Sequence, residues 1–323
     1  MNAQLFALLR CPETGEPLRE EGDALVTDDG RRYPVVSGVP RFVPSDDYAD
    51  NFGRQWNKFR RTQLDNEPMG MSEQSFRRIT GWTPEMLAGK TVLDVGCGMG
   101  RYLEVAARWG ANVVGFDLSS AVNAAEEHLG AKDNVEILQA SLLEPPFAPG
   151  SFDFVYSIGV LHHTPDTHQA VRSIARLVKP GGRLAIWVYD AYNPLKDATS
   201  KFWRRFTTKL SWPLLLWWSR LLIWSPLYWL GRYRPFRLMA WIIPVSCEPQ
   251  YEARLLDTVD WYGPAYQWKH RYPEVYGWFE DLGFEDIVPR EPAVAVGGRR
   301  PAAAGAAAAV ETGTVEAATA TEA

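Results

Sequence analysis

Cysteine is scarce in this chain, and so are other features that would define a function class. Its 323 residues include three cysteines, Cys11, Cys97 and Cys247, which are too few and too scattered for a disulfide framework. A reducing compartment is therefore favoured, and we expect a cytoplasmic protein. The first ten residues lack a basic leader followed by a long apolar run, so they predict no signal peptide.

An excess of basic residues is also lacking. With 34 Lys and Arg against 39 Asp and Glu, the net charge of −5 argues against a broad nucleic-acid-binding surface. Hydrophobic content of 46% and charged content of 23% are those of a globular protein. The length leaves room for one large domain with an appendage, or for two domains.

A glycine-rich stretch at 91–100 follows a β-branched apolar run and precedes a helical pattern. This order predicts a strand, a tight turn and a helix N-terminus, which together bring backbone N–H groups against a ligand. Gly96, Gly98 and Gly100 occupy alternate positions. A dinucleotide-binding turn would carry a third glycine at the position of Arg101, so this spacing indicates another ligand class. On its own, the stretch could equally be an ordinary glycine-rich turn.

Strands and helices alternate with short links over the following hundred residues. Such alternation predicts parallel strands in a three-layer α/β sheet. The expected strands are 92–95, 112–116, 135–139, 152–157 and 183–188, and a helix at 273–282 precedes a final strand pair.

Three segments in this order resemble motifs of class I S-adenosylmethionine-dependent methyltransferases: the glycine stretch, residues 152–166 and residues 177–184. The resemblance implies a Rossmann-like αβα sandwich with a mostly parallel seven-stranded sheet and S-adenosylmethionine as cofactor. The residues that it assigns to the cofactor are Asp94, Gly96, Cys97, Gly98, Gly100, Asp117, Leu118, Ser141, Leu142 and Ser157.

Asp117 and Ser141 each have more than one possible role. Asp117 ends the second strand, where a carboxylate could accept hydrogen bonds from both ribose hydroxyls or could cap the helix that follows. Ser141 stands where the family carries an Asp that bonds the adenine amino group, so backbone at Leu142 could contribute more than the Ser141 side chain.

His162 and His163 are the candidates for a catalytic base, with His163 favoured. Histidine titrates near neutral pH, and their loop faces the expected site. The alternative is that both side chains only shape the loop.

A second, softer resemblance, to methyltransferases of bacterial biosynthetic gene clusters, covers 255–270. It offers Asp260, Tyr262, Tyr266 and His270 as a substrate-site wall, the alternative being a packed aromatic loop.

Residues 1–44 read as a small α+β domain with short strands and Gly and Pro turns. The pattern resembles the zinc-ribbon-derived domain of methyltransferase activator subunits. Zinc-bearing relatives carry a C-P-x-C pair where this chain has only Cys11, so we predict no metal site and treat the domain as structural.

The remaining organisation follows from composition. We predict a helical connector at 45–90, with aromatics at helical spacing over 52–59 that either pack on the core or cover the cofactor. The core at 91–189 is followed by a helical, Trp/Arg-rich hydrophobic insertion at 190–270. The final helix and strand pair occupy 271–298, and the Ala-rich tail at 299–323 is expected to be disordered or a short helix.

The apolar run of the insertion, 201–243, is interrupted by Pro213, Arg220 and Pro226, which argues against a spanning helix. It reads either as a cap over the acceptor site or as an interfacial segment, with association at the inner face of the membrane.

The whole sequence thus predicts a methyltransferase acting on a small or lipid-like acceptor, on oxygen. The alternatives are a carbon methyltransferase of a quinone-type precursor and a partner-activating pseudoenzyme. A nucleic-acid substrate is not expected, because the chain is acidic and lacks an Asn-Pro-Pro-Tyr-type motif after the fourth strand. The oligomeric state and the identity of the acceptor stay open.

Overall fold

The computed structural model describes residues 3–43, 70–226, 243, 245–246, 248 and 250–302. The predicted aromatic helix at 52–59, most of the predicted tail and residues 227–242 of the insertion lie outside the described residues.

The chain begins with helix α1 (Ala3–Phe6) and a four-stranded antiparallel sheet. Its strands, in spatial as well as chain order, are β1 (Arg19–Glu21), β2 (Ala24–Val26), β3 (Arg32–Val36) and β4 (Val39–Pro40). Cys11 is buried beneath this sheet, with its Sγ atom 3.1 Å from the Tyr33 hydroxyl oxygen. Among the described residues, no three His, Cys, Asp or Glu side chains are placed to hold a metal ion.

A seven-stranded sheet forms the centre of the molecule, and the prediction of its mostly parallel, Rossmann-like arrangement is confirmed. The spatial order is β10-β11-β9-β8-β5-β6-β7, with β10 and β11 antiparallel to each other and β11 antiparallel to β9. The strands are β5 (Thr91–Val95), β6 (Asn112–Asp117), β7 (Val135–Gln139), β8 (Phe152–Ile158), β9 (Val178–Trp187), β10 (Glu285–Arg290) and β11 (Ala295–Arg299).

Helices cover both faces of this sheet, because side chains of a strand alternate between the two faces. Val92, Phe154 and Ala185 belong to one buried cluster, together with helices α2 (Met71–Thr80), α4 (Arg101–Arg108) and α5 (Val122–Leu129). Leu93, Val155 and Leu184 point the other way, towards α6 (Thr167–Ala175) and α10 (Tyr272–Asp281). A short helix, α3 (Pro84–Leu87), leads into β5.

The small N-terminal sheet is joined to the edge of the large sheet at β7. Arg41 forms a parallel bridge with Gln139, and the Phe42 N–H donates to the Gln139 carbonyl oxygen at 2.8 Å. On the other side, the Arg10 N–H donates to the Pro146 carbonyl oxygen at 2.9 Å. Exposed edge strands present unpaired backbone groups, so this contact satisfies part of the β7 edge.

The insertion after β9 is helical, as predicted. Its described helices are α7 (Pro194–Thr207), α8 (Trp212–Trp224) and α9 (Tyr251–Tyr262), which share a hydrophobic cluster of their own. No helix in the described part of the chain is long and apolar enough to cross a membrane.

Candidate active site

A cavity of about 330 Å³ lies at the carboxyl ends of β5, β6 and β8. Loops diverge from the strands at this edge of an open α/β sheet, which makes the edge the usual ligand site of such folds. The far wall is supplied by the segment after β9 and by one face of α9. The lining residues are Gly96–Met99, Arg101, Tyr102, Phe116–Leu118, Ala140, Leu142, Ile158–Val160, His163, Thr164, Trp187, Tyr189, Leu256, Asp257 and Asp260.

The glycine loop takes its shape from residues without side chains. Gly96 has a φ of 77°, and a Cβ atom at this position would clash with Val160 Cγ1, so a larger residue would displace the loop after β8. Gly98 has a φ of 54° and donates its N–H to Asp117 Oδ2 at 3.0 Å. The loop from Gly96 to Met99 lines the cavity.

Asp117, at the end of β6, ties this loop to the next one. Its Oδ1 atom accepts hydrogen bonds from the Ser119 N–H at 2.8 Å and from the Ser119 hydroxyl at 2.7 Å. Its Oδ2 atom accepts from Gly98. Asp117 also lines the cavity, so the carboxylate that stabilises the turn is within reach of a ligand bound there.

His163 also lines the cavity, on a short helical turn, Leu161–His163. Its Nδ1 atom lies 2.8 Å from the Tyr266 carbonyl oxygen, and because a carbonyl can only accept, Nδ1 carries the proton. The neutral ring then has its lone pair on Nε2. Burial lowers the pKa of His163, and only in part is this opposed by the nearby Asp260 carboxylate. At neutral pH the side chain is therefore an uncharged acceptor.

Charged and phenolic groups lie near His163, on α9, on α7 and on the segment after β9. The Tyr189 hydroxyl donates to Asp260 Oδ2 at 2.7 Å, and both residues line the cavity. Burial, opposed by the charge of Asp260, lowers the pKa of Arg204 to about 10, which leaves this guanidinium charged. Asp257, one helical turn before Asp260, has its pKa raised to about 6 by burial. This wall combines hydrogen-bond acceptors and donors in an otherwise apolar enclosure.

Comparison with known protein families identifies the class of the domain that carries this cavity. Residues 93–186 match the family model described as a methyltransferase domain. Residues 93–186 are a methyltransferase domain. The prediction of this class is thereby confirmed over the segment that contains the glycine loop, Asp117 and His163.

Curated relatives match the same region. Methyltransferase GfsG of Streptomyces halstedii is 37% identical over 143 residues, which cover 43% of this chain and 50% of the relative. A ubiquinone biosynthesis O-methyltransferase of Ralstonia nicotianae is 47% identical over 102 residues, which cover 30% of this chain and 42% of the relative. O-methyltransferase resE of Aspergillus sclerotiorum is 33% identical over 147 residues, which cover 43% of this chain and 56% of the relative. The chain thus spans about half the length of the curated relatives that it matches.

Of the residues assigned to the cofactor from the sequence, Gly96, Cys97, Gly98, Asp117, Leu118 and Leu142 line the cavity of the methyltransferase domain. Asp94, Gly100, Ser141 and Ser157 do not. Ser157 is fully buried and donates to the Val95 carbonyl oxygen at 2.9 Å, so it links β8 to β5. Gly100 starts α4 against Leu129, and the Ser141 hydroxyl accepts from the Leu143 N–H at 3.3 Å.

Asp94 lies beneath the glycine loop, with 3% of its surface exposed. Its Oδ2 atom has no hydrogen-bond partner in the part of the chain that the structure describes. Burial, with a smaller contribution from the charge of Asp117, raises the pKa of Asp94 to about 8. A raised pKa of this size favours the protonated, neutral form of Asp94 in the folded protein at neutral pH.

His162 and His163 have different surroundings, although they are adjacent. His162 is completely buried, and neither ring nitrogen has a hydrogen-bond partner among the described residues. Its ring lies 3.9 Å from the Tyr189 ring, centre to centre. Burial lowers the pKa of His162 well below its ordinary value, with a further contribution from His163. His162 is thus a neutral packing residue behind the cavity.

Of the four residues predicted to form a substrate-site wall, two lie at or next to the cavity and two are buried elsewhere. Asp260 lines the cavity, and Tyr266 contributes its carbonyl oxygen to His163. Tyr262 is buried in the cluster of the insertion, where its ring meets that of Trp218. His270 is buried. Its Nδ1 atom lies 3.0 Å from Glu274 Oε1 and its Nε2 atom 3.0 Å from Thr167 Oγ1, so it joins the start of α10 to the start of α6. Neither Tyr262 nor His270 lines the cavity.

Tyr189, Leu256 and Asp257 were not predicted from the sequence. Asp257 lies three residues before Asp260, and this helical spacing places both carboxylates on one face of α9. Tyr189 comes two residues after β9, at the ligand-binding edge of the sheet. Those two signals could have identified the pair.

Proposed function

We propose that this chain is an S-adenosylmethionine-dependent methyltransferase that methylates an oxygen atom of a small or lipid-like acceptor. The observation that carries the proposal is that the glycine loop, Asp117 and His163 line the same cavity. The names of two relatives, which are O-methyltransferases, support oxygen as the acceptor atom.

The residues at the loop end of the cavity suit the proposed cofactor. Gly96 and Gly98 line this end of the cavity without side chains, and Asp117 presents a carboxylate that can accept hydrogen bonds from ribose hydroxyls. Leu118, Ala140 and Leu142 provide apolar surface for a flat base. When bound, S-adenosylmethionine supplies an electrophilic methyl group to a nucleophile.

His163 is assigned the role of general base. The acceptor hydroxyl must lose its proton as its oxygen forms a bond to carbon, and Nε2 of His163 can take that proton because Nδ1 is held by Tyr266. Asp260 and Tyr189 lie on the same side and are assigned to acceptor binding. The rest of the protein's contribution is alignment of the reactants and exclusion of water.

The alternatives differ in measurable ways. A carbon methyltransferase of a quinone-type precursor would leave the acceptor hydroxyls intact, so the product distinguishes it. A partner-activating pseudoenzyme would bind the cofactor but show no turnover by itself.

The deciding experiment is incubation of the purified chain, without any partner, with methyl-labelled S-adenosylmethionine and a metabolite extract. We expect a labelled product whose methyl group is on oxygen. A chain that binds S-adenosylmethionine in calorimetry but labels nothing in extracts from several sources would contradict the proposal and favour the pseudoenzyme.

A further inference from the structure

Helix α8 is apolar on two opposite sides, and the described residues cover only one of them. Its inner side, which includes Leu215 and Ile223, is buried in the cluster shared with α9. The other side exposes large apolar side chains with helical spacing, so that they form one stripe. The stripe consists of Leu214 (53% exposed), Trp217 (61%), Leu221 (47%) and Trp224 (76%).

Basic side chains accompany this stripe. Residues 194–226 contain six Lys and Arg and one acidic residue, Asp197, whereas the whole chain has a net charge of −5. Arg220 is exposed on α8 itself, and Lys201, Arg205 and Lys209 are exposed on α7. Phe202 and Phe206, also exposed on α7, add further apolar surface. Positive charge thus accompanies four exposed aromatic side chains, Phe202, Phe206, Trp217 and Trp224, on these two helices.

We propose that the α8 stripe is a docking surface for an anionic bilayer. Tryptophan is enriched at the depth of lipid headgroups, and neighbouring Lys and Arg side chains are attracted to anionic lipids. At 13 residues, α8 is long enough to lie in the interface and too short to span the membrane. Charge complementarity selects the anionic surface over a neutral one.

The position of the stripe relates it to the cavity. Leu215 on the inner side of α8 contacts the position of Gly263, at the end of α9. α9 in turn contributes Leu256, Asp257 and Asp260 to the cavity. The docking surface is therefore separated from the acceptor wall by a single helix, an arrangement that would bring the cavity close to a membrane. This proposal does not depend on methyl transfer and can be tested separately.

The test is co-sedimentation of the intact chain with vesicles of phosphatidylglycerol and phosphatidylcholine, compared with vesicles of phosphatidylcholine alone, at low salt. We expect binding to the anionic vesicles only. The double variant Trp217→Glu/Trp224→Glu should bind at least about tenfold more weakly, because two exposed apolar anchors are lost. Lys201→Gln/Arg205→Gln should weaken binding by about fivefold per charge and reduce its dependence on salt.

Met71→Glu is the matched control, since Met71 is 79% exposed on a different helix. It should bind vesicles as the parent does. Trp218 is unsuited to the test, because its ring packs against Trp203 and its loss would disturb the helix pair. Circular dichroism and calorimetry with S-adenosylmethionine, on the same samples, separate a folding or cofactor defect from loss of docking.

Three results would overturn the inference. The parent could remain in the supernatant with anionic vesicles at low salt, or the double tryptophan variant could bind as well as the parent. Alternatively, sedimentation velocity could show a dimer that the double variant converts to monomer while neither protein binds vesicles, which would make the stripe an interface between two copies of this chain.

Discussion

Asp117 stabilises two loops with one carboxylate, and this makes it the most sensitive single residue of the proposed cofactor site. It accepts hydrogen bonds from Gly98 and from Ser119 while lining the cavity. Charge-assisted hydrogen bonds contribute about 1.5–3 kcal/mol each. Asp117→Ala should therefore weaken S-adenosylmethionine binding by about tenfold to a hundredfold or more in titration calorimetry.

Asp153 provides the control for this measurement. It accepts from the Thr91 N–H at 2.9 Å and pairs with Lys179 at 3.1 Å, at the start of β5 and away from the cavity. Asp153→Ala should lower the melting temperature and leave affinity unchanged. If Asp117→Ala bound like the parent, the assignment of the cofactor end would be wrong.

The adjacent histidines should respond differently to substitution. His163→Ala should lower turnover by about 10²–10⁴-fold, the usual range for loss of a general base. His162→Phe should keep turnover close to the parent, because its ring nitrogens make no hydrogen bonds within the described residues and Phe has a similar shape. Burial lowers the pKa of His163, so kcat/KM should stay constant down to about pH 6.5 and fall only below it. An opposite ranking of the two variants would transfer the base to His162.

These residues also show what the sequence could establish. Gly96, Gly98 and Asp117 were identifiable because their roles depend on a local strand, turn and strand end. The contact between Tyr189 and Asp260 was not, because it forms only when α9 packs near the segment that follows β9. That contact depends on the packing of the insertion, and neither residue type nor spacing within β9 encodes it.

At the scale of secondary-structure elements, the joint between the two sheets is the feature that local patterns did not predict. Arg41 donates to Gln139 Oε1 at 3.0 Å and to Asn123 Oδ1 at 2.6 Å. Gln139 in turn donates to the Leu118 carbonyl oxygen at 2.9 Å, next to Asp117. The strands themselves were predictable from apolar periodicity, but their pairing uses backbone groups that every residue carries.

Arg41→Ala tests this joint. Loss of hydrogen bonds from a charged group to partly buried partners should lower the free energy of unfolding by about 1.5–3 kcal/mol in chemical denaturation. Arg19→Ala is the control, since Arg19 pairs with Glu21 at 2.7 Å on the exposed outer strand, where such a pair contributes about 0–1 kcal/mol. Equal effects of the two substitutions would show that the Arg41 contacts do not hold the sheets together.

For the molecule as a whole, pH should act on stability through its buried titratable groups, in two opposite directions. His162 and His163 have lowered pKa values in the folded state, so the unfolded chain binds more protons below about pH 6.5, and stability falls as the solution becomes more acidic. Asp94 acts in the other direction, because its pKa is raised from 3.8 to about 8. Its proton stays bound in the folded protein while the unfolded chain releases it.

Asp94→Asn should therefore stabilise the ligand-free protein by an amount that depends on pH. The contribution of protonated Asp94 is fully present below pH 3.8 and is lost as the pH rises to about 8. The asparagine side chain is neutral at every pH, so the variant's advantage in free energy of unfolding should grow between about pH 4 and pH 8 and then level off. Urea denaturation across this range measures it, with Asp28→Asn as control because the Asp28 side chain is 99% exposed. A difference between Asp94→Asn and the parent that did not change with pH would mean that Asp94 is already ionised beneath the glycine loop.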